Sequence, residues 1–314
     1  MNKFNKVVIL GGTGFIGAQL ATKLSPKSKK IIIPTRNTES NLGLKMIPNL
    51  EVVRTDIKDE RSINLLFKDA DLIINTVGIL NEMNEDNSFD IIHYQLTKKI
   101  SHSIKQNKVK RYLYISSLNA DPKSIGKYLK SKGMAEDFLI SETSSFCNLT
   151  IFRPSIVFGE SDSFFNKFAT LLKFLPIFPL ACPNAKFMPV YVEDLTDFMI
   201  STINNIDSYG KKIDVTGPGE YTFRELINHT LAALKIRRLI IPLNSFLSRL
   251  QASVFEKLPG KLFTMDNYQS LQIDSCSDEG FKGSSSLEDI IPQYLNIKTK
   301  QERFEKLRKK SGRK

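Results

Sequence analysis

The chain of 314 residues has no tryptophan, three histidines and three cysteines. Cys147, Cys182 and Cys276 lie far apart and make no CxxC pair, so neither a zinc site nor a disulfide framework is expected. Such thiol usage fits a reducing cytoplasm or organelle matrix. His93 and His229 are read as packing or hydrogen-bonding residues rather than ligands, and no metal is expected. No apolar run reaches the roughly 18 residues that cross a bilayer, and Met1–Lys6 runs into a strand-like segment without a signal-peptide pattern. A soluble or peripheral protein is expected, without internal repeats or long low-complexity segments.

The formal net charge is +12, unevenly placed: between Lys298 and Lys314 stand nine Lys or Arg and two Glu. A tail of this kind is either a solvated extension or an attractor of polyanions such as anionic lipid, nucleic acid or an acidic protein. Nucleic acid is not the expected partner.

Through the first half, apolar runs alternate with helix-length amphipathic segments, the pattern of a doubly wound parallel α/β sheet. Strands are predicted at Lys6–Leu10, Lys30–Pro34, Glu51–Arg54, Leu72–Asn75, Arg111–Ser116 and Asn148–Arg153, with helices around Gly14–Leu24, Ser62–Phe67, Asp90–Gln106 and Lys127–Ser141. After Arg153 the pattern loosens into Pro-rich and aromatic stretches, a short strand at Lys212–Val215 and a helix at Phe223–Leu234. The expected organisation is a nucleotide-binding core over 1–155, a smaller substrate-side region over 156–296 whose strands return to the core, and a basic tail over 297–314.

The most informative segment is Val7–Gly17, VVILGGTGFIG, an apolar run opening into a glycine-rich turn and a helix start. Gly11 suits the positive φ of the turn, and Gly14 keeps a Cβ away from a bound pyrophosphate. Gly17 lets the helix lie close on the strand, and the helix N-terminus faces the anion. Thr13, Phe15 and Ile16 complete this expected dinucleotide site; the alternative is a bare structural turn. Where an NAD site places Asp or Glu after the second strand, this chain has Arg36, suited to a 2′-phosphate. NADP(H) is therefore expected in preference to NAD(H), the alternative being a surface Arg at a strand end. Asp56 and Ile57, placed to flank the adenine, and Thr76, Val77 and Gly78, placed to approach the ribose, are further candidates; each also reads as a strand-to-loop exit.

Tyr128 and Lys132 stand four apart, on one face of a helix, with Ser116 and Ser117 at the end of the preceding strand. There the ammonium would lower the phenol's pKa and meet the nicotinamide ribose, while Tyr128 exchanges a proton with a carbonyl or alcohol held by a serine, Ser116 being the first candidate.

Taken in order, Gly11–Gly17, the Ser116 strand end and Tyr128-x-x-x-Lys132 resemble the extended and atypical short-chain dehydrogenase/reductase superfamily. Further matches are Asn75–Leu80, His93, Ser116–Asp121, Arg153-Pro154-Ser155 through Gly159, Asp162–Phe165 and Val190–Asp194. These resemble the branch that holds the nucleotide-binding accessory subunit of mitochondrial respiratory complex I and its bacterial relatives. The similarity runs from the first strand to about Leu295. It implies a Rossmann fold, tight NADPH binding with Pro154 beside the nucleotide, and a place near the quinone-reducing arm at the inner membrane or in ubiquinone metabolism. Asn119 departs from the small residue usual in its loop.

From Pro242 to Leu258, Leu243, Phe246, Leu247, Leu250, Val254, Phe255 and Leu258 follow helical spacing among Arg and Lys. The commoner reading packs this stripe on the domain core; the other lays it, with the 298–314 tail, on an anionic membrane surface. Three functions follow: an NADP(H)-dependent reductase or dehydrogenase of a quinone-like or isoprenoid substrate, a soluble sugar-nucleotide epimerase or dehydratase, or an NADPH-stabilised scaffold or assembly factor. A pocket with several basic residues for a diphosphate would mark the sugar-nucleotide enzyme, and a greasy cleft opening beside the Pro242–Leu258 helix a quinone-like substrate or a membrane scaffold.

Overall fold

The computed structural model describes residues 4–38, 42–258 and 260–295; the basic tail lies outside them. The first half alternates β1 (Phe4–Leu10), α1 (Phe15–Leu24), β2 (Ser28–Thr35), α2 (Leu42–Lys45), β3 (Leu50–Arg54), α3 (Glu60–Phe67), β4 (Leu72–Asn75), α4 (Leu96–Gln106), β5 (Arg111–Ile115), α5 (Lys127–Ser141) and β6 (Asn148–Pro154). The six strands predicted from apolar runs are present. The helix predicted over Asp90–Gln106 opens with a π-helical stretch, Asp90–Gln95, before α4 begins.

The second half adds β7 (Val157–Phe158), α6 (Phe164–Phe174), β8 (Ile177–Leu180), β9 (Lys186–Phe187), β10 (Val190–Tyr191), α7 (Val192–Ser201), β11 (Lys211–Thr216) and β12 (Tyr221–Thr222). It continues with α8 (Phe223–Leu234), β13 (Leu239–Pro242), α9 (Ser245–Phe255), α10 (Met265–Ser270), β14 (Phe281–Lys282) and α11 (Leu287–Leu295).

Eight strands make one sheet in the order β14-β11-β6-β5-β4-β1-β2-β3, all neighbours parallel. Winding reverses between β1 and β4, and a crevice for a ligand opens at the strand ends there. Strand alternation divides the core: Val7 and Ile9 face the cluster under α1 and α7, while Val8 and Leu10 face the one under α3, α4 and α5. The distal half completes the sheet. Phe281 of β14 pairs with Val215 of β11 and stacks on Phe198 at 4.0 Å between ring centroids. The Asp194 carboxylate then accepts from Ser284 N and Ser285 N at 2.9 and 2.8 Å, which fastens the segment after β14.

A third cluster, rich in phenylalanine, joins α6, α8 and α11 around Phe158, Phe165, Phe187, Phe223 and Ile291. α8 starts with a capping box between Thr222 and Glu225. On its outer side His229 approaches Glu288 at 3.5 Å and meets the Tyr221 ring edge-on.

The helix expected over Pro242–Leu258 differs from that expectation in two ways. Pro242 ends β13, and α9 starts only at Ser245, behind an Asn244 cap that accepts from Leu247 N at 2.9 Å. The reading in which its apolar stripe packs on the core is corrected. Ser248 and Ala252 are the fully buried positions, whereas Phe246 is 74% and Leu250 51% exposed.

Candidate functional site

The turn after β1 takes the shape its glycines allow. Gly11 has φ 74°, and its carbonyl accepts from Gly14 N at 2.9 Å. Gly14 precedes α1 with no side-chain cap, and no acidic residue stands in the helix's first turn, so the opening N–H groups remain available to an anion. Gly17 does not line the cleft. A Cβ there would stand 2.4 Å from Gly11 O and 2.6 Å from Gly12 Cα, so its role is the close contact of helix and turn.

A cleft of about 320 Å³ runs from this turn over the ends of β2, β3 and β4. Gly11, Thr13, Gly14, Arg36, Asp56, Ile57, Thr76, Val77 and Gly78 line it. Lys58, not singled out in the sequence, lines the same half as Arg36. Its N–H binds Asp56 Oδ1 at 3.0 Å, turning that carboxylate into its own loop, and its ammonium binds Asn87 Oδ1 at 3.1 Å. The β4 exit is fixed by Thr76 Oγ1 donating to Leu10 O at 3.0 Å and by Val77 N donating to Asn75 Oδ1 at 2.9 Å.

The cleft continues past Phe15, Ile16, Thr76–Leu80, Ser116, Ser117, Tyr128, Lys132 and Pro154. Here Gly78 leaves room, since a Cβ would sit 3.5 Å from Lys132 Nζ and 3.7 Å from His93 Nε2. The glycine turn, the uncapped helix start and this gap fit a dinucleotide along the crevice. Among the described residues no group of three His, Cys, Asp or Glu is arranged to hold a metal.

His93 is fully engaged. Its Nε2 accepts from Ile79 N at 3.1 Å, its Nδ1 lies 2.9 Å from Ser131 Oγ, and that hydroxyl donates to Tyr128 O at 2.8 Å. The accepting Nε2 leaves the proton on Nδ1, and burial with the Lys132 charge nearby holds His93 neutral, well below the usual pKa. Its ring stacks on Phe89 and meets Tyr128 edge-on, which positions the tyrosine.

Two expectations are corrected here. Tyr128 is not tuned downward: removal from water raises its pKa, the Ser117 hydroxyl pulls the other way, and the Asp266 carboxylate raises it further. Second, the hydroxyl facing the phenol belongs to Ser117. Ser116, one residue earlier along an extended exit, also lines the cleft, but its buried hydroxyl is turned towards the Glu136 carboxylate, whose charged form it favours.

Lys132 is buried on α5, donates to Ile115 O at 3.0 Å and lies over the Tyr114 ring. Burial pushes its ammonium down to about 8, opposed by the charge of Glu136 one turn on. Glu136 is itself 1% exposed, with Lys212 Nζ at 3.2 Å and Arg153 Nε at 3.6 Å. Sequence reading passed over Glu136, although the spacing Tyr128, Lys132, Glu136 puts all three on one helical face. It also passed over Asp266, whose Oδ1 accepts from Tyr128 N at 3.2 Å across the fold and caps α5 where Gly126 offers no side chain.

Beyond Tyr128 lies a second cavity of about 440 Å³, lined by Leu118, Ile156, Phe164, Phe168, Phe187, Phe223, Leu262, Phe263, Leu271 and Ile273 among others. Lys167 is its only charged lining residue among those described, and its ammonium donates to Leu262 O at 2.8 Å.

Comparison with known proteins agrees with this geometry. The chain is 27% identical over 299 residues to the mouse (Mus musculus) protein named NADH dehydrogenase [ubiquinone] 1 alpha subcomplex subunit 9, mitochondrial, covering 93% of this chain and 78% of that one. It is 23% identical over 188 residues to a ceramide reductase of Caulobacter vibrioides, covering 60% of this chain and 57% of that one. In structure it resembles DesIV, a dTDP-glucose 4,6-dehydratase from Streptomyces venezuelae solved with NAD and TYD bound. There the TM-score is 0.70 at 17% identity, over 92% of this chain and 95% of that one. A family profile matches residues 7–216, and with the glycine turn, the switch-point crevice and the parallel sheet it establishes that the chain belongs to the NAD dependent epimerase/dehydratase family.

Proposed function

We propose that the protein is an NADP(H)-dependent reductase or dehydrogenase acting on an apolar, quinone-like or isoprenoid carbonyl or alcohol. The observation that carries this is the cavity beyond Tyr128: its walls are mainly phenylalanine, leucine and isoleucine, and Lys167 is its one cation among the described residues. A sugar-nucleotide substrate brings a diphosphate that asks for several charged donors in that space. Preference for the phosphorylated dinucleotide is supported by Arg36 and Lys58, two cations where the adenosine half would lie.

When bound, the nicotinamide supplies or accepts hydride. Tyr128 exchanges the proton with the substrate oxygen, and Ser117 holds the same oxygen. Lys132 orients the ribose near Gly78. The raised phenol pKa keeps Tyr128 protonated at neutral pH, which suits the reducing direction, in which the phenol donates.

The test is NADPH oxidation with a short-chain ubiquinone analogue and a long-chain ketone, against UDP- and dTDP-sugars, each with a Tyr128→Phe control. Turnover of the apolar compounds that the control lacks is expected. Turnover or thermal stabilisation by the sugar nucleotides alone overturns the reading.

A second reading, a nucleotide-held subunit or assembly factor peripheral to the inner membrane beside a respiratory complex, is favoured by the 27% identity to the mouse subunit over 93% of this chain. A Tyr128→Phe gene that fully complements a deletion strain would support it over the enzyme.

A further inference from the structure

β8 and β13 form a two-stranded parallel ribbon with Leu239 opposite Ile177 and Ile241 opposite Pro179. Alternation sends Phe178 and Leu180 into the aromatic cluster and leaves Ile177, Leu239 and Ile241 exposed on the other side. Phe174 and Leu175, leading into β8, are exposed as well. Two residues after β13, α9 begins and carries exposed Phe246, Leu247, Leu250 and Val254 at helical spacing.

The outward stripe is fixed rather than accidental. On the inner side Ser248 Oγ accepts from Cys182 N at 3.2 Å, and Gln251 Nε2 donates to Pro179 O at 3.1 Å, so the small residues Ser248 and Ala252 are held against β8. A helix of a globular protein ordinarily buries its apolar stripe, and a joined apolar surface of several elements marks a place of interaction.

Charge selects the partner. From Lys235 to Leu262 there are six Lys or Arg and one acid, Glu256, and from Ser163 to Cys182 there are two Lys and no acid. An apolar centre with a cationic surround matches an anionic lipid surface, acyl chains below and phosphates around. Leu262, which follows α9 by seven residues and is partly exposed, also lines the apolar cavity beyond Tyr128.

We propose that the face built by β8, β13 and α9 docks the protein on an anionic lipid bilayer, with Phe246 and Leu250 entering the acyl boundary and the exposed side of Leu262, a cavity-lining residue, turned to the surface. This extends the proposed function by giving an apolar substrate its route, and it rests on that reading only for what enters the cavity.

The absence of tryptophan makes a clean experiment, because Phe246→Trp gives the full chain its single indole. With phosphatidylcholine vesicles containing phosphatidylglycerol, its emission is expected to shift to the blue and to be quenched by brominated acyl chains. Without the anionic lipid both effects are expected to be lost. The double variant Phe246→Asp, Leu250→Asp, with the 298–314 tail intact, is expected to bind the anionic vesicles at least tenfold more weakly at unchanged NADPH affinity and unfolding midpoint. Vesicle binding that leaves the indole emission unchanged overturns the proposal, because the tail alone then makes the contact. Equal binding by the double variant overturns it too, as does loss of a dimer in that variant without change in vesicle binding. Failure of the enzyme reading shows separately, as absent turnover of apolar carbonyls by a protein that still inserts its indole.

Discussion

The Asp266 carboxylate accepts the backbone N–H of Tyr128 at 3.2 Å, so a residue of α10 caps the helix that carries the candidate proton donor. Asp266→Ala is expected to lower stability by about 1 kcal/mol, the usual worth of a helix cap. Asp266→Asn keeps an acceptor but removes the charge that raises the Tyr128 phenol, so it is expected to lower that pKa. Urea unfolding reads the first effect. The difference between tyrosinate titrations with and without Tyr128→Phe reads the second, and an unchanged phenol in Asp266→Asn contradicts it.

NADPH is expected to bind at least tenfold more tightly than NADH, because one charge-assisted hydrogen bond from Arg36 to a 2′-phosphate contributes about 1.5–3 kcal/mol. Arg36→Ala should bring the two affinities together by weakening NADPH alone. Calorimetric titration of both cofactors decides it, and equal wild-type affinities refute the assignment.

Tyr128→Phe is expected to remove turnover and spare NADPH affinity, since the phenol acts on substrate oxygen, whereas Lys132→Ala should harm both. Glu136→Gln removes the carboxylate that favours the Lys132 ammonium, so the alkaline limb of nucleotide binding is expected to move to lower pH. An unmoved limb would show that Glu136 is only a packing residue for α5.

Lys132 also sets a sign for stability. Its pKa is about 8 when folded against the ordinary 10.5, so between those values the unfolded chain binds more protons and the folded state gains stability as pH rises. Below about pH 8 the cost of burying the ammonium is fully present. Relative to Lys132→Met, wild type should therefore gain about 3 kcal/mol in unfolding free energy from pH 8 to 10.5. A difference that is flat or falls with pH, followed by urea melts, contradicts the buried-ammonium account.

Gly17→Ala is expected to destabilise by about 1–3 kcal/mol, as overpacking does, and to weaken nucleotide binding, because the added Cβ meets Gly11 O at 2.4 Å in the turn itself. Gly78→Ala has 3.5 Å to its nearest neighbour, Lys132 Nζ, and should leave stability unchanged while weakening the nucleotide. Loss of stability in Gly78→Ala equal to that in Gly17→Ala would break the distinction.

The parallel strands and the glycine turn were legible because each rests on local pattern: apolar runs such as Val7–Leu10, and a backbone shape that Gly11 permits. The choice between Ser116 and Ser117 was not legible, because at the end of β5 a single residue decides whether a hydroxyl meets the Glu136 carboxylate or the Tyr128 phenol. The α9 stripe was legible as a stripe but not in direction. Helical spacing names the residues that share a face and is silent on which face the fold buries; here Ser248 and Ala252 take the inner place. Asp266 had no signal at all, since a cap supplied across the fold leaves no trace near Gly126. The short ribbon of β8 and β13 hid in a Pro-rich stretch that carries no clear two-residue alternation.

The sheet's last strand has a consequence for synthesis. β11 receives its outer partner only when Phe281 and Lys282 arrive, held by the Phe198 stack and by Asp194. A nascent chain on the ribosome therefore carries β11 as an open edge, with the N–H and C=O groups of that side unpaired, until Phe281 and Lys282 have been made and have folded back. Any product cut short before Phe281 keeps that edge for good and offers it to the next such chain.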